Sequence, residues 1–139
     1  MGTQVKLLRV LLADDHAPML TQTVRLLDGD YEIVGQVANG LHLIEAAARL
    51  DPDVVVLDIT MPGVDGIEAA RRLKIAGCRA KLVFLTVHDD RDYVGAASDA
   101  GGDAYVVKAR LATDLRPAIQ AALAGERFVS PSENLGDDF

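Results

Sequence analysis

Five residues that can handle a phosphoryl group stand at the ends of four short apolar runs in the sequence. They are three aspartates, a threonine and a lysine: Asp14, Asp15, Asp58, Thr86 and Lys108. Carboxylates held close together repel one another, and a divalent cation relieves that repulsion. Oxygen ligands favour Mg²⁺, Mn²⁺ or Ca²⁺ over zinc. If the five residues meet, one aspartate can act as a nucleophile toward phosphorus while the metal and the lysine offset the developing charge.

The apolar runs that precede these residues are predicted to be strands of one parallel sheet. Short β-branched runs alternate with helical patterns along the chain, which is typical of βαβ units. The predicted strands are Lys6–Ala13, Tyr31–Val37, Val54–Leu57, Lys81–Leu85 and Ala104–Val107. The second strand alternates more than the others and is placed at a sheet edge. The fold class is therefore α/β, a flavodoxin-like (βα)₅ doubly wound parallel sheet with strand order 2-1-3-4-5.

Five helical segments are predicted between and after these strands, each ended by a turn or glycine signal. The first begins near Ala17 and stops at Gly29, the second carries Leu43 to Leu50, and the others cover Ile67–Ile75, Tyr93–Ala100 and Thr113–Ala124. In an open doubly wound sheet, ligands bind at the carboxyl ends of strands where the strand order reverses. For the order 2-1-3-4-5 this point lies between strands one and three. Those strands end in Asp14-Asp15 and Asp58, so topology and chemistry indicate the same place.

Length and composition limit the class of protein. The 139 residues correspond to one domain, half of the residues are apolar, and the net charge is −7. A sequence pI near 4.8 argues against a nucleic-acid-binding surface on this chain. The single cysteine, Cys78, excludes an internal disulfide and fits a reducing compartment. We see neither a signal peptide nor an apolar run of about 18 residues, so we expect no membrane span and a cytoplasmic location.

The stretch Leu57–Gly66, together with the acid pair, Thr86 and Lys108, resembles the receiver domain of bacterial two-component response regulators. It carries an aspartate-x-x-methionine-proline-x-x-aspartate-glycine pattern that begins at Asp58. The resemblance covers residues 5–125, which we predict to be the receiver domain. Residues 126–139 are predicted to be a largely mobile tail or the start of a linker to an absent output domain.

The resemblance implies a metal-dependent phosphoacceptor. Asp58 would accept the phosphoryl group. Asp15 and Asp58 would bind Mg²⁺, with Mn²⁺ possible, through their side chains, and the backbone carbonyl of Thr60 would be a third ligand. Asp14 would act mainly through coordinated water.

The resemblance also implies a switch and a partner. Lys108 and Thr86 would contact the phosphoryl group, and Tyr105 matches the switch aromatic that turns inward when the threonine hydroxyl moves. A sensor histidine kinase would be the phosphodonor. Phosphorylation would change the surface near strands four and five and control dimerisation or an output. The chain would then be a signalling protein and not an enzyme.

Two segments resemble the subfamily whose output is a helix-turn-helix DNA-binding domain. They are Gly125–Pro131 and Val87–Asp90. We expect the receiver half of a longer transcription factor, with DNA bound through the output domain; a free-standing receiver that acts through protein–protein contacts is the alternative. Two positions depart from the commonest receivers. Ala109 replaces a frequent proline and is expected to be trans, and Val87 replaces a small residue and is expected to narrow access to the phosphorylation site.

Three other classes of protein fit the sequence less well than a receiver domain. A phosphohydrolase of the haloacid dehalogenase type needs a second aspartate two residues after its nucleophile, where this chain has Thr60. A flavodoxin-like nucleotide binder needs a phosphate loop after the first strand, where Asp14, Asp15 and His16 would repel an anion without a metal. A phosphorylation-independent receiver-like module typically lacks part of the acid set, which is complete here.

Overall fold

A parallel sheet of six strands forms the centre of the protein. The computed structural model describes residues 6–87 and 91–131. The strands are β1 (Leu8–Ala13), β2 (Tyr31–Val37), β3 (Val54–Asp58), β4 (Lys81–Thr86), β5 (Ala104–Val107) and β6 (Phe128–Val129). Their order across the sheet is β2-β1-β3-β4-β5-β6. The predicted order of the first five strands and the edge position of β2 are confirmed.

Five α-helices cover the two faces of this sheet. They are α1 (Ala17–Leu27), α2 (Gly40–Leu50), α3 (Gly66–Ile75), α4 (Arg91–Asp99) and α5 (Leu111–Leu123). A single 3-10 turn at Lys108–Arg110 precedes α5, so helical backbone follows β5 directly. Asn39 and Asp65 cap α2 and α3 by accepting hydrogen bonds from backbone N–H groups of the first turns. None of the helices in the described part of the chain has the length and apolarity needed to cross a bilayer.

The core consists of two layers, one on each face of the sheet. Alternate residues of β3 point to opposite faces, as the period of two in a strand requires. Val55 and Leu57 pack in the layer beneath α2, α3 and α4. Val54 and Val56 pack in the layer beneath α1 and α5. Burial of β3 on both faces explains its continuous apolar sequence. The polar residue of this strand, Asp58, is its last residue.

The C-terminal tail differs from its prediction. We expected the chain after residue 125 to be largely mobile, but Phe128 and Val129 pair with Ala104 and Tyr105 of β5 and add a sixth strand. Ser130, which follows β6, is buried. A strand of two residues is too short to show any periodicity, and backbone hydrogen bonds hold it in place. Residues 132–139 lie outside the described part of the chain, as do residues 88–90 of the segment Val87–Asp90.

The loop after β5 adopts the expected peptide geometry. None of the described residues follows a cis peptide bond, so the bond between Lys108 and Ala109 is trans. The 3-10 turn that begins at Lys108 lies at the carboxyl edge of the sheet. Lys108 is thus held by regular backbone on both sides, with β5 before it and the turn after it.

Candidate functional site

The carboxyl edge of the sheet collects the polar residues that the sequence placed at strand ends. Asp14 directly follows β1, Asp58 is the last residue of β3, Thr86 is the last residue of β4, and Lys108 directly follows β5. Because β1, β3, β4 and β5 are neighbours and parallel, their carboxyl ends lie side by side. The expected convergence of these residues at one edge is therefore observed.

Three carboxylates form a cluster at the centre of this edge. One oxygen from each of Asp14, Asp15 and Asp58 lies within 4.8 Å of the other two. Asp14 and Asp58 are buried, with 2% and 6% of their surface exposed, whereas Asp15 is exposed. A set made only of carboxylate oxygens, with one side open to solvent, suits a hard divalent cation that keeps several waters. The residues present therefore fit Mg²⁺ or Mn²⁺.

Lys108 joins two members of this cluster. Its Nζ atom lies 2.9 Å from Asp14 Oδ2 and 3.1 Å from Asp58 Oδ2. The other oxygen of Asp14, Oδ1, accepts a hydrogen bond of 2.9 Å from the backbone N–H of His16. Asp14 Oδ2 is buried without a well-aligned hydrogen bond among the described residues, so the ion pair with Lys108 is its close polar contact. The donor set thus contains an oxygen that is under-coordinated inside the protein.

Burial and repulsion make the ionised form of Asp58 less favourable than that of an aspartate in water. Loss of water raises the pKa of Asp58, and the negative charge of Asp14 raises it further. The charge and hydrogen bond of Lys108, and the N–H of Thr60 at 3.3 Å from Asp58 Oδ1, oppose this rise without cancelling it. One ammonium therefore does not neutralise the cluster, and a second cation would be bound favourably.

Lys108 stays protonated in this environment. Burial by itself lowers the pKa of Lys108, but its ion pairs with the carboxylates of Asp14 and Asp58 outweigh that effect and raise it. The side chain is mostly shielded from solvent, with 11% of its surface exposed. Lys108 can thus act as a fixed positive charge toward any anion that reaches the cluster.

The loop between β3 and α3 supports the cluster through its backbone. A Cβ atom at Gly66 would overlap the carbonyl oxygen of Asp58, so a residue without a side chain is needed for this approach. The Gly66 N–H donates to the Ile59 carbonyl at 2.7 Å, and the carboxylate of Asp65 caps α3 by accepting from the Glu68 N–H at 2.9 Å. The supporting role of Asp65 and Gly66 was not predicted from the sequence. An aspartate and a glycine just before a helical pattern were the available signal.

Thr86 and Tyr105 lie in the buried part of β4 and β5. Their exposed fractions are 1% and 3%. Tyr105 packs in the core layer that includes Ala97 of α4, and its neighbour across the sheet is Phe84 of β4. Val87, the residue after Thr86, is 70% exposed. Thr60, whose carbonyl was expected to bind metal, is exposed next to Asp58.

Comparison with known proteins agrees with this arrangement. A family model described as the response regulator receiver domain matches residues 10–120. The transcriptional regulatory protein PdtaR of Mycobacterium tuberculosis (strain ATCC 25618 / H37Rv) is 41% identical over 127 residues, which are 90% of this chain. This chain spans 61% of the length of PdtaR.

Two solved structures show the same fold. A two-component response regulator of the LuxR family from Aurantimonas sp. SI85-9A1 has a TM-score of 0.86 and 32% identity, and the match covers 94% of both chains. The isolated REC domain of RcsB from Salmonella enterica serovar Typhimurium, solved in the presence of phosphomimetic BeF₃⁻, has a TM-score of 0.82 and 27% identity. That match covers 94% of this chain and 97% of the other.

Proposed function

Since the chain belongs to the response regulator receiver domain family, we propose that it is a phosphoacceptor switch in which Asp58 takes a phosphoryl group from a sensor histidine kinase. The chain is the receiver domain of a two-component response regulator, a signalling protein and not an enzyme of the usual kind. We also propose that the transfer depends on Mg²⁺ and that the residues named below have the roles given for them.

One observation carries the assignment of Asp58. Its carboxylate ends β3 inside an acidic cluster and lies 3.1 Å from the ammonium of Lys108, which also contacts Asp14 at 2.9 Å. A nucleophilic carboxylate needs nearby positive charge to hold the transferred phosphoryl group. Asp58 has that charge from Lys108, and it has the cluster of oxygens that suits a divalent cation.

The transfer exchanges one bond to phosphorus for another. A carboxylate oxygen of Asp58 attacks the phosphorus of a phosphohistidine, the phosphorus–nitrogen bond breaks, and the imidazole of the kinase leaves with the electron pair and takes up a proton. The product is an acyl phosphate on Asp58. Lys108 moves from its ion pairs with Asp14 and Asp58 to a phosphoryl oxygen, and the hydroxyl of Thr86 donates to another.

The metal would be held by the side chains of Asp15 and Asp58, by the carbonyl of Thr60, and by Asp14 through water. When bound, Mg²⁺ supplies positive charge to the phosphoryl oxygens and lowers the repulsion between the anionic donor and the acidic cluster. The buried, under-coordinated Oδ2 of Asp14 supports this part of the proposal.

Thr86 and Tyr105 would pass the signal to the surface. Both are buried on neighbouring strands, Thr86 as the last residue of β4 and Tyr105 as the second residue of β5. Movement of the Thr86 hydroxyl toward the phosphoryl group then changes the packing around Tyr105 and α4. The altered surface would control dimerisation or an output. The relatives support a link to transcription, with DNA bound through an output domain outside residues 5–125 and residues 126–139 as the start of the linker. We also propose a cytoplasmic location, because kinases form phosphohistidine from ATP there.

Incubation with acetyl phosphate and Mg²⁺ tests the proposal. Intact-mass measurement should show one added phosphoryl group that hydroxylamine removes, and EDTA should prevent the addition. Asp58→Asn should abolish it, whereas Asp99→Asn, which changes an exposed aspartate on α4, should not. Labelling of Asp58→Asn to the level of the wild type would contradict the assignment.

A further inference from the structure

Ser130 is a buried polar residue that joins the C-terminal segment to β5. It follows β6 and has 1% of its surface exposed. Its backbone N–H donates to the carbonyl of Tyr105 at 2.8 Å. Its hydroxyl oxygen accepts from the N–H of Val107 at 3.1 Å and donates to Asp114 Oδ2 at 2.7 Å. One serine is therefore bonded to β5 at two points and to α5 at a third.

Asp114 extends this network to the far side of Lys108. Asp114 is 4% exposed, and its carboxylate accepts from Arg110 through Nε at 2.8 Å and Nη2 at 3.3 Å. Val107 comes one residue before Lys108 and Arg110 comes two residues after it. We name Ser130, Asp114 and Arg110 the exit latch. The latch is bonded to the backbone of the residue before Lys108 and includes a side chain two residues after it.

We propose that the exit latch positions Lys108, and that docking of residues 126–131 on β5 is energetically coupled to phosphorylation of Asp58. The inference rests on the proposed function, because it assigns Ser130 and Asp114 as positioning residues for that phosphorylation. Neither residue belongs to the acidic cluster.

The coupling follows from the position of Lys108 between the two features. Its Nζ is bound to Asp14 and Asp58 within the cluster, and the residues around it in the chain are bound to the latch. A phosphoryl group on Asp58 would draw the ammonium to new oxygens and shift the 3-10 turn. Any such shift changes the hydrogen bonds that Ser130 and Asp114 make on either side.

A half-broken latch is unfavourable. If Ser130 leaves, the N–H of Val107 loses its hydroxyl acceptor, and the buried carboxylate of Asp114 loses one of its donors. Unpaired buried polar groups cost about 1–3 kcal/mol each. The latch should therefore be either closed or open, and such a two-state element can carry coupling. By linkage, opening the latch changes the equilibrium between free and phosphorylated Asp58 by the same factor by which phosphorylation changes the opening of the latch.

Hydrogen–deuterium exchange on the full chain measures the coupling. Mg²⁺ and beryllium fluoride, which mimics the phosphoryl group, are added to the wild type, and exchange is followed in peptides covering residues 103–110 and 126–131. We expect the protection of the Val107 and Ser130 amides to change by about five-fold or more, as coupling energies of this kind predict.

Ser130→Ala should remove the coupling. In this variant, the backbone amides of residues 107 and 130 should exchange rapidly with and without beryllium fluoride. Phosphorylation of the variant by acetyl phosphate at saturating Mg²⁺ should be about five-fold slower or more. Thr23→Val is the matched control, since Thr23 is a buried hydroxyl whose hydrogen bond goes to Met19 in its own helix. Ser130→Thr, which retains the hydroxyl, should restore both the rate and the coupling.

The outcomes separate this inference from the proposed function. A wild type that is phosphorylated with unchanged exchange in residues 126–131 overturns the coupling alone. A Ser130→Ala variant phosphorylated as fast as Thr23→Val overturns the positioning of Lys108 by the latch. A wild type that takes no phosphoryl group refutes the proposed function, and the inference with it. If Ser130→Ala does not fold, Asp114→Asn, which loses the ion pair with Arg110, provides the same measurements.

Discussion

The ammonium nitrogen of Lys108 lies 2.9 Å from Oδ2 of Asp14, inside the acidic cluster. The same nitrogen lies 3.1 Å from Oδ2 of Asp58. Lys108 therefore occupies the space between two carboxylates that would also serve a metal. Because the lysine and the metal would both draw on carboxylates of this cluster, removing one should alter the binding of the other.

Lys108→Met should bind Mg²⁺ more tightly than the wild type. Without the ammonium, Asp14 and Asp58 lose a competing positive charge, and the cluster becomes more negative. Two unit charges about 4 Å apart near a protein surface interact by about 4 kcal/mol, and changes in solvation offset part of this energy. We therefore expect the affinity for Mg²⁺ to rise about ten-fold. Isothermal titration with Mg²⁺ measures it. Lys6→Met is the control, because this exposed lysine precedes β1 and the cluster lies at the other end of that strand. Weaker binding by Lys108→Met would contradict the prediction.

Asp58→Asn should stabilise the metal-free protein at pH 7. The pKa of Asp58 is raised by burial and by the charge of Asp14, which means that the ionised carboxylate is less favourable in the folded protein than in the unfolded chain. A neutral amide removes that cost, and we expect a gain on the order of 1 kcal/mol in the free energy of unfolding. Urea unfolding in EDTA measures it, with Asp99→Asn as the control. A loss of stability would show that the ion pair with Lys108 outweighs the repulsion.

The increase in the free energy of unfolding caused by Asp58→Asn should be largest above the raised pKa of Asp58 and should vanish on acidification. Because the pKa is raised above its ordinary value of 3.8, Asp58 contributes stability that is fully present below that value and is lost as pH rises through the folded pKa. Relative to Asp58→Asn, the wild type should thus lose stability between about pH 4 and the raised pKa. Unfolding curves at a series of pH values in EDTA should show the two proteins converge on acidification. A constant difference across the series would refute the raised pKa.

Gly66→Ala should destabilise the protein strongly. An added Cβ would overlap the backbone of Asp58, and backbone atoms cannot move aside as a flexible side chain can. Forced overpacking costs about 1–3 kcal/mol, and we expect the upper end of that range. Gly95→Ala is the matched control, because its Cβ would meet no described atom within 4 Å and it lies inside α4. Alanine there should be neutral or stabilise by up to about 1 kcal/mol. Equal changes in the free energy of unfolding for Gly66→Ala and Gly95→Ala would contradict the close approach of Gly66 to the backbone of Asp58.

Val87→Ala should speed phosphorylation by small donors. Val87 follows Thr86 at the carboxyl edge and is 70% exposed, so its side chain stands in the solvent next to the site. Alanine should widen the approach for acetyl phosphate, while the rate of transfer from a histidine kinase, which presents a larger surface, should change less. Stopped-flow or mass-spectrometric rates with both donors check this. Equal acetyl phosphate rates for both proteins would dismiss the idea.

Much of the fold followed from local patterns. The continuous apolar run of β3 indicated a strand buried on both faces, and the more alternating β2 was correctly assigned to an edge. The boundaries of α5 were less accurate, because the 3-10 turn at Lys108–Arg110 joins helical backbone to β5 without a recognisable capping signal. The strand β6 was missed for a related reason. Two residues have no periodicity, and their pairing depends on the open edge of β5.

The residues at the strand ends could be named from the order of amino acids alone. Parallel strands have equivalent carboxyl ends, so the residues at those ends meet once the strand order is known. The folded domain was needed to show how Lys108 divides its contacts between Asp14 and Asp58. It was also needed to show that Ser130 is bonded to Val107 and Asp114. Ion pairs and buried hydrogen bonds depend on distances of a few tenths of an ångström between segments far apart in the chain. Such distances are set by packing of the whole domain and leave no pattern in the order of the residues.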